Sequence, residues 1–210
     1  MKKKYILLLM LLLIIITSII LIYRNRSNEK IIYNNKEDID IKVKYPIYKY
    51  HKLNKAITKN INYYLKDNID NYYFLYIDYK DYEYKEYISI VLYISYFTGG
   101  AHPNYEIKTI NYNKNTNNFI DIDDLINRNK DILNKLSIYS REYFSNNDMF
   151  NDKVVFDMMI DGTKSIKDNY KYFNITSDGL IIYFNRYQVA PYYYGDYSIT
   201  IPYNYLNLSI

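Results

Sequence analysis

"YISIVLYISYFTGGAHPNYEIKTINYN", residues 87 to 113, decides how this chain folds. Ile88, Ile90, Leu92, Ile94 and Tyr96 recur at every second position and share one face, while Tyr87, Ser89, Val91, Tyr93 and Ser95 share the other. A sustained period of two is the pattern of a β-strand. The alternation resumes from Tyr105 to Asn113, so the glycine pair between the two runs connects two strands, expected as neighbours. Gly99 and Gly100 admit backbone conformations with φ > 0 that other residues resist, and His102 is pushed toward extended geometry by Pro103. The loop Gly99, Gly100, Ala101, His102, Pro103 is therefore first a chain reversal. It is also a candidate partner contact, because binding residues concentrate on loops held by rigid strands.

Working outward, "DIDIKVKYPIY" (38 to 48) places Ile39, Ile41, Val43 and Tyr45 on one strand face, and Pro46 is expected to end the ladder. From His51 onward, Leu53, Ile57, Ile61, Tyr64 and Leu65 fall on one helical face. Residues 72 to 79 are expected to pair with the long strand through a turn near Lys80 and Asp81. Downstream, "NKNTNN" (113 to 118) reads as a bend before a short strand at 119 to 122. Asp121, Asp123 and Asp124 stand before an apolar run. A calcium loop would need a glycine that does not follow here, so the three aspartates read as helix caps. They start a second helical stretch, whose helix proper carries Ile132, Leu136, Tyr139 and Tyr143 on one face, and residues 146 to 170 leave helix and strand both open. "KYFNITSDGLIIYF" (171 to 184) reads as strand, turn, strand, and "SITIPYNYL" (198 to 206) as a closing strand. Strands and helices mix without βαβ alternation, so the fold class is α+β. The expected form is a two-lobed module of antiparallel sheets packed with amphipathic helices, with a first lobe at 38 to 120 and a second at 121 to 210.

The leader points to the membrane. Lys2, Lys3 and Lys4 precede an apolar run from Ile6 to Ile22, broken only by Thr17 and Ser18. That run is long enough for about 25 Å of helix at roughly 1.5 Å per residue, and no small-residue cleavage site follows it. Residues 1 to 26 therefore read as an uncleaved signal-anchor, a single transmembrane helix followed by a polar stalk at 27 to 37. The excess of lysine at the short end places the bulk of the chain outside the cytoplasm, on the cell membrane.

Charge and composition narrow the chemistry. Without the three leader lysines, the 27 basic residues become 24 against 23 acidic ones, a formal +1, which is no electrostatic footprint for nucleic acid. There is no cysteine, so disulfides and lipid attachment through cysteine are both excluded. The 31 tyrosines accompany abundant Asn, Ile and Lys and no Trp, a bias that AT-rich codons explain. His51 and His102 are the only histidines, without H-E-x-x-H spacing, and Ser95 lacks a G-x-S-x-G setting. No metal site, no cofactor and no catalytic residue is expected. The second candidate contact is Pro191, Tyr192, Tyr193 and Tyr194. Three consecutive tyrosines cannot all enter one core, and tyrosine offers large contact area at little entropic cost.

"SYFTGGAHPNY" (95 to 105), then "INYNKNTNNFIDIDDL" (110 to 125), then "FNITSDGLIIYFNRYQVAPYYYGDYSITIPYNYL" (173 to 206) resembles the extracellular domain of RsiV-type anti-sigma factors. The same module is similar to the non-catalytic N-terminal part of some peptidoglycan deacetylases. The resemblance runs over roughly residues 38 to 210 and implies a two-lobed α+β module at the cell surface. In the RsiV-type case it also implies lysozyme binding that triggers proteolysis and frees a sigma factor. The expectation is a membrane-anchored, non-catalytic binding or sensing module, standing alone on its tether, for lysozyme, peptidoglycan or another cell-envelope ligand. The alternatives are an envelope enzyme acting on peptidoglycan through His102, and a structural envelope protein.

Overall fold

Alternation along the central strands builds the larger of two sheets. The computed structural model describes residues 28–36, 39–66 and 71–210. The leader, 1 to 26, lies outside them, and among the described residues no helix is long and apolar enough to cross a membrane. Within the expected stalk, residues 28–36 are a strand: β1 (Asn28–Lys36) pairs antiparallel with β2 (Ile39–Ile47). After helix α1 (His51–Lys66) come β3 (Phe74–Tyr84), β4 (Tyr87–Phe97), β5 (Asn104–Asn113) and the two-residue β6 (Asn118–Phe119). The six strands lie in sequence order.

Three local expectations are corrected. The sheet is not wholly antiparallel, because β2 and β3 run parallel, with Ile41 opposite Leu75 and Val43 opposite Ile77. Helix α1 is the crossover that a parallel pair requires. Pro46 does not end β2, which continues to Ile47; pairing with β3 stops at Val43, so the proline sits where the strand has one neighbour. The β3–β4 turn falls at Lys85 and Glu86, with Lys85 at φ 52, and not at Lys80 and Asp81. Asp78 and Lys80 are exposed on one face and Asp81 and Glu83 on the other, so this end of the hairpin has lost its apolar signal while remaining strand.

Helix α1 buries Leu53, Ile57, Ile61 and Tyr64 against one sheet face, where Val43, Leu75, Ile77, Ile90 and Leu92 receive them. Each fully buried aliphatic side chain contributes about 1.5–3 kcal/mol. The second core is built by α2 (Ile122–Arg128), α3 (Ile132–Ser145) and α4 (Lys153–Gly162). These pack with a three-stranded antiparallel sheet of β7 (Phe173–Ile175), β8 (Leu180–Phe184) and β9 (Tyr197–Ile201), followed by the short α5 (Tyr203–Leu206). Asp121 caps α2 as expected. Its Oδ1 accepts from the backbone N–H of Asp123 at 2.9 Å and of Asp124 at 3.2 Å, and Asp124 Oδ2 accepts from the Asp121 N–H at 2.9 Å. On α3 the buried line runs through Ile132, Leu136, Ser140 and Phe144, leaving Tyr143 exposed.

The small sheet abuts the second face of β4 and β5 through polar groups. Asn111 Nδ2 donates to the Phe173 carbonyl at 2.9 Å, and Asn174 Nδ2 donates to the Ile90 carbonyl at 3.2 Å. The Ile175 N–H donates to Ser89 Oγ at 3.0 Å, and the Phe173 N–H to Thr109 Oγ1 at 3.3 Å. Ser89, Asn111 and Asn174 are all buried. Removing one partner strands the others without water, at about 1–3 kcal/mol for each orphaned group. Asn111→Ala is therefore expected to lower stability by about 2–3 kcal/mol in denaturant titration, well above the half-kilocalorie typical of surface changes.

Buried tyrosines give the fold an alkaline limit. Burial pushes Tyr170 up to about 12, and burial together with the neighbouring Glu106 pushes Tyr96 up to about 12. Tyr64, Tyr183 and Tyr203 are raised further, again chiefly by burial. In the unfolded chain all ionise near 10, so above that pH the folded state holds more protons and stability falls as pH rises. The thermal midpoint should drop steeply between about pH 10 and 12, with little change between pH 7 and 9, and the buried tyrosines' share of the tyrosinate absorbance should appear together with unfolding.

Candidate binding surface

The β4–β5 connection turns as its glycines predict, with Gly99 at φ 95 and Gly100 at φ 112. It presents His102 to the aromatic loop some ninety residues downstream. The His102 ring stacks on Tyr192 with centroids 3.9 Å apart and planes 24° from parallel. Its Nδ1 lies 3.0 Å from the Pro103 carbonyl oxygen and its Nε2 lies 3.4 Å from the Tyr187 hydroxyl. The Tyr192 hydroxyl donates to the same Pro103 carbonyl at 2.7 Å. Tyr192 opens a single 3-10 turn, Tyr192–Tyr194, which begins after Pro191 at φ −55 and closes on Gly195 at φ 84. Proline presets the entry, and glycine supplies the left-handed exit.

Arg186 ties this contact to the sheet. Its guanidinium lies 3.6 Å over the Tyr105 ring and 4.5 Å from the Tyr192 ring, two rings tilted 56° to each other, and cation–π attraction adds about 0.5–2 kcal/mol. The Arg186 N–H donates to Asp196 Oδ1 at 3.1 Å, but the side-chain separation, Nε to Oδ2, is 3.9 Å and too long for a hydrogen bond. Burial raises the Asp196 carboxyl above the usual range, and Arg186 offsets this only in part. Beside this contact is a cavity of about 210 Å³ whose lining includes Tyr76, Asp78, Tyr93, Tyr105, Glu106 and Asp196.

The downstream loop is fixed at its base. Asn185 Oδ1 accepts from the Ile107 N–H at 2.9 Å, joining the loop to β5. Gln188 Nε2 donates to the carbonyls of Gly162 at 3.1 Å and Asn169 at 3.0 Å. A Cβ on Gly162 would lie 1.9 Å from the Gln188 carbonyl oxygen, so α4 must carry a glycine where the loop settles on it. Above this base the aromatic rings face solvent. Tyr187 is 57% exposed and Tyr193 is 74% exposed, with Tyr193 and Tyr194 rings 4.1 Å apart. Across the same sheet face, Tyr73 lies 5.5 Å from Phe97, and Phe74 stacks on Tyr76 at 4.8 Å.

The two stretches singled out in the sequence thus meet, His102 and Pro103 from one and Tyr192 from the other. Gly100 and Ala101 stay at the exposed tip, and Tyr193 and Tyr194 pair with each other. Arg186, Tyr187 and Tyr105 join the cluster without having been anticipated. Tyr105 shares a strand face with Ile107, the one signal that pointed there. Both His102 ring nitrogens face Pro103 and Tyr187, and among the described residues no group of three His, Asp or Glu side chains gathers to hold a metal. The arrangement offers flat aromatic area, phenol hydroxyls and one delocalised cation, which is chemistry for recognition.

Residues 123–204 match the model of a family described as "Protein of unknown function (DUF3298)", a span from α2 into α5 that includes Arg186 and Tyr192. The chain is 33% identical over 172 residues to the peptidoglycan-N-acetylmuramic acid deacetylase PdaC of Bacillus subtilis (strain 168), covering 76% of this chain and 36% of that protein. It therefore spans little more than a third of that relative's length. A DUF3298 family protein from Pseudomonas aeruginosa PAO1 shares the fold with a TM-score of 0.67 at 15% identity, over 87% of this chain and 94% of the other. A DUF3298 family member from Bacteroides fragilis NCTC 9343 does so with a TM-score of 0.57 at 17% identity, over 86% and 92%. The mixed α+β fold with two sheets is that of the DUF3298 structures.

Gly162→Ala is expected to displace the Gln188 backbone and cost about 1–3 kcal/mol, the range for an overpacked contact. Two-dimensional NMR should show the shifts concentrated at residues 185 to 195 and at His102, leaving α1 unperturbed.

Proposed function

We propose that this chain is a non-catalytic binding module of the cell envelope, of the RsiV-type ectodomain kind, tethered by its leader and facing outward. Its contact surface is the junction of the 99–103 and 191–194 loops, and its partner is lysozyme or another envelope ligand. The observation that carries this reading is the Tyr192 hydroxyl bound to the Pro103 carbonyl at 2.7 Å, beneath the His102–Tyr192 stack. It joins two loops 89 residues apart into one preformed surface. Ordering loops on binding is costly, so a surface fixed beforehand loses less on association.

The exposed residues suit that role. Tyrosine and arginine are the side chains on which interface energy concentrates. Here Tyr187 and Tyr193 stand clear of the core while Arg186 is held between rings. The similarity to PdaC adds the envelope setting, since that enzyme is a peptidoglycan deacetylase. We take the third of its length that aligns here as lying outside its catalytic part.

The full chain, in detergent micelles, should bind lysozyme or sediment with insoluble peptidoglycan. Tyr187→Ala and Tyr193→Ala should each weaken that binding by about tenfold, the effect of losing an interface anchor. Absence of binding to both overturns the assignment, as does peptidoglycan hydrolysis by the chain that His102→Ala abolishes.

A further inference from the structure

On the opposite face of β5 from Tyr105, the neighbouring residue Glu106 sits at the centre of a second polar constellation. The Tyr64 hydroxyl donates to Glu106 Oε2 at 2.8 Å and the Tyr96 hydroxyl donates to Oε1 at 3.1 Å. Lys108 Nζ stands 3.0 Å from Oε2. Two cavities of about 500 and 350 Å³ flank this group, and Tyr63, Tyr64 and Glu106 line both. These three residues are a wall common to both cavities, so the two make a groove with Tyr72 and Tyr96 on one side of that wall and Lys59 and Lys108 on the other. Each volume falls within the roughly 300–1,000 Å³ typical of ligand clefts.

The walls are firm. Tyr64 packs edge-on to Tyr63 at 5.1 Å and lies 5.9 Å from Tyr96, which in turn meets Tyr72 edge-on at 5.6 Å. Tyr64 and Tyr72 are buried, yet Tyr63 is 73% exposed. The described lining consists of tyrosine, asparagine, threonine, glutamate and lysine, without an aliphatic side chain. That composition suits neither an acyl chain nor the apolar anchors of a peptide.

Hydrogen-bond polarity narrows the ligand further. The Tyr64 and Tyr96 protons are committed to Glu106, so both phenol oxygens offer only lone pairs to the groove. Glu106 accepts from three partners and keeps acceptor capacity, and Lys108 has ammonium protons beyond the one facing Glu106. A ligand here must present flat C–H surface to aromatic rings and a rim of hydroxyls that both donate and accept. We propose that this groove binds a pyranose oligosaccharide, one ring lying on Tyr63 and its hydroxyls bound by Glu106, Tyr96 and Lys108. The Lys59 end receives a carboxylate where the sugar carries one. The loop surface on the other face of the sheet plays no part in this.

The test uses the full chain in a detergent without a sugar headgroup, titrated calorimetrically with two probes. One is chitotetraose, and the other is the soluble disaccharide fragments released from peptidoglycan by muramidase, which carry carboxylates. Binding of either in the wild type is expected, with Tyr63→Ala weakening it at least about tenfold. The thermal midpoint should stay unchanged, because Tyr63 is mostly exposed. Lys59→Ala should weaken only the carboxylate-bearing fragments. Tyr143→Ala, which removes another solvent-facing tyrosine, from α3, should leave both affinities as they were. No heat with either probe, or equal affinity in wild type and Tyr63→Ala, overturns the proposal. Lysozyme binding by the Tyr63→Ala chain is a separate readout, so failure of the groove and failure of the loop surface are told apart.

Discussion

The buried hydrogen bonds between the two sheets are the constraint on which the rest depends. β4 is buried on both faces from Tyr87 to Leu92, so it has no solvent side to absorb error. On one face its isoleucines and leucine meet α1; on the other, Ser89 meets the Ile175 amide and Asn111 of β5 meets the Phe173 carbonyl. Apolar contact alone tolerates sliding, because it has little direction. A buried amide that must find one particular carbonyl does not. These polar contacts fix the small sheet in one register against β4 and β5. They thereby set where residues 185 to 195 emerge relative to the glycine loop.

Placement of that kind explains why Tyr192 reaches Pro103. Ile107 on β5 and Asn185 after β8 are joined directly, and from that point each chain needs only a few residues to reach the His102–Tyr192 stack. A shift of one strand residue, about 3.3 Å, would exceed the tolerance of the 2.7 Å bond from Tyr192. The exposed loops therefore inherit their geometry from buried asparagines and serines some distance below them. The aromatic surface and the core are one mechanical unit.

Much of this fold was legible where a local period exists. Helix α1 and strands β2, β4, β5, β7 and β8 follow from spacings of 3.6 and two, and the α2 cap follows from Asp121 before an apolar run. What escaped has non-local causes. The parallel β2–β3 pair depends on how a helix crosses over, which no strand's own pattern records. β1 reads as stalk because its Asn and Lys side chains suit an edge strand and a linker equally well. On α3, Tyr139 packs against the core as its spacing suggested, but Tyr143 looked like the inner face and is exposed, while Ser140 and Phe144 face inward. A buried serine bonding its own i−4 carbonyl costs little and leaves no apolar mark. The Arg186 contact with Tyr105 and Tyr192 joins residues far apart in the chain, and its signal is spatial only. The glycines behave differently: Gly99 and Gly100 announced a turn, whereas Gly162, inside a helix, gave no sign that another loop's backbone would lie against it.

The tyrosines carry a last lesson about composition. Codon bias accounts for how many there are, and says nothing about where their hydroxyls go. Tyr203 donates to the Thr176 carbonyl at 2.7 Å and accepts from the Thr176 amide at 3.1 Å. Tyr170 donates to the Thr163 carbonyl at 2.8 Å, Tyr192 donates to Pro103, and Tyr64 donates to Glu106. A chain without disulfides and rich in tyrosine uses the phenol as its long-range connector, burying a ring while bonding a distant backbone or carboxylate group. The same side chains, where the core no longer covers them, become contact area. Because strand residues alternate, Tyr105 and Glu106 send that chemistry to opposite faces of one sheet. A single strand thus supports two aromatic surfaces, one on each face of the sheet.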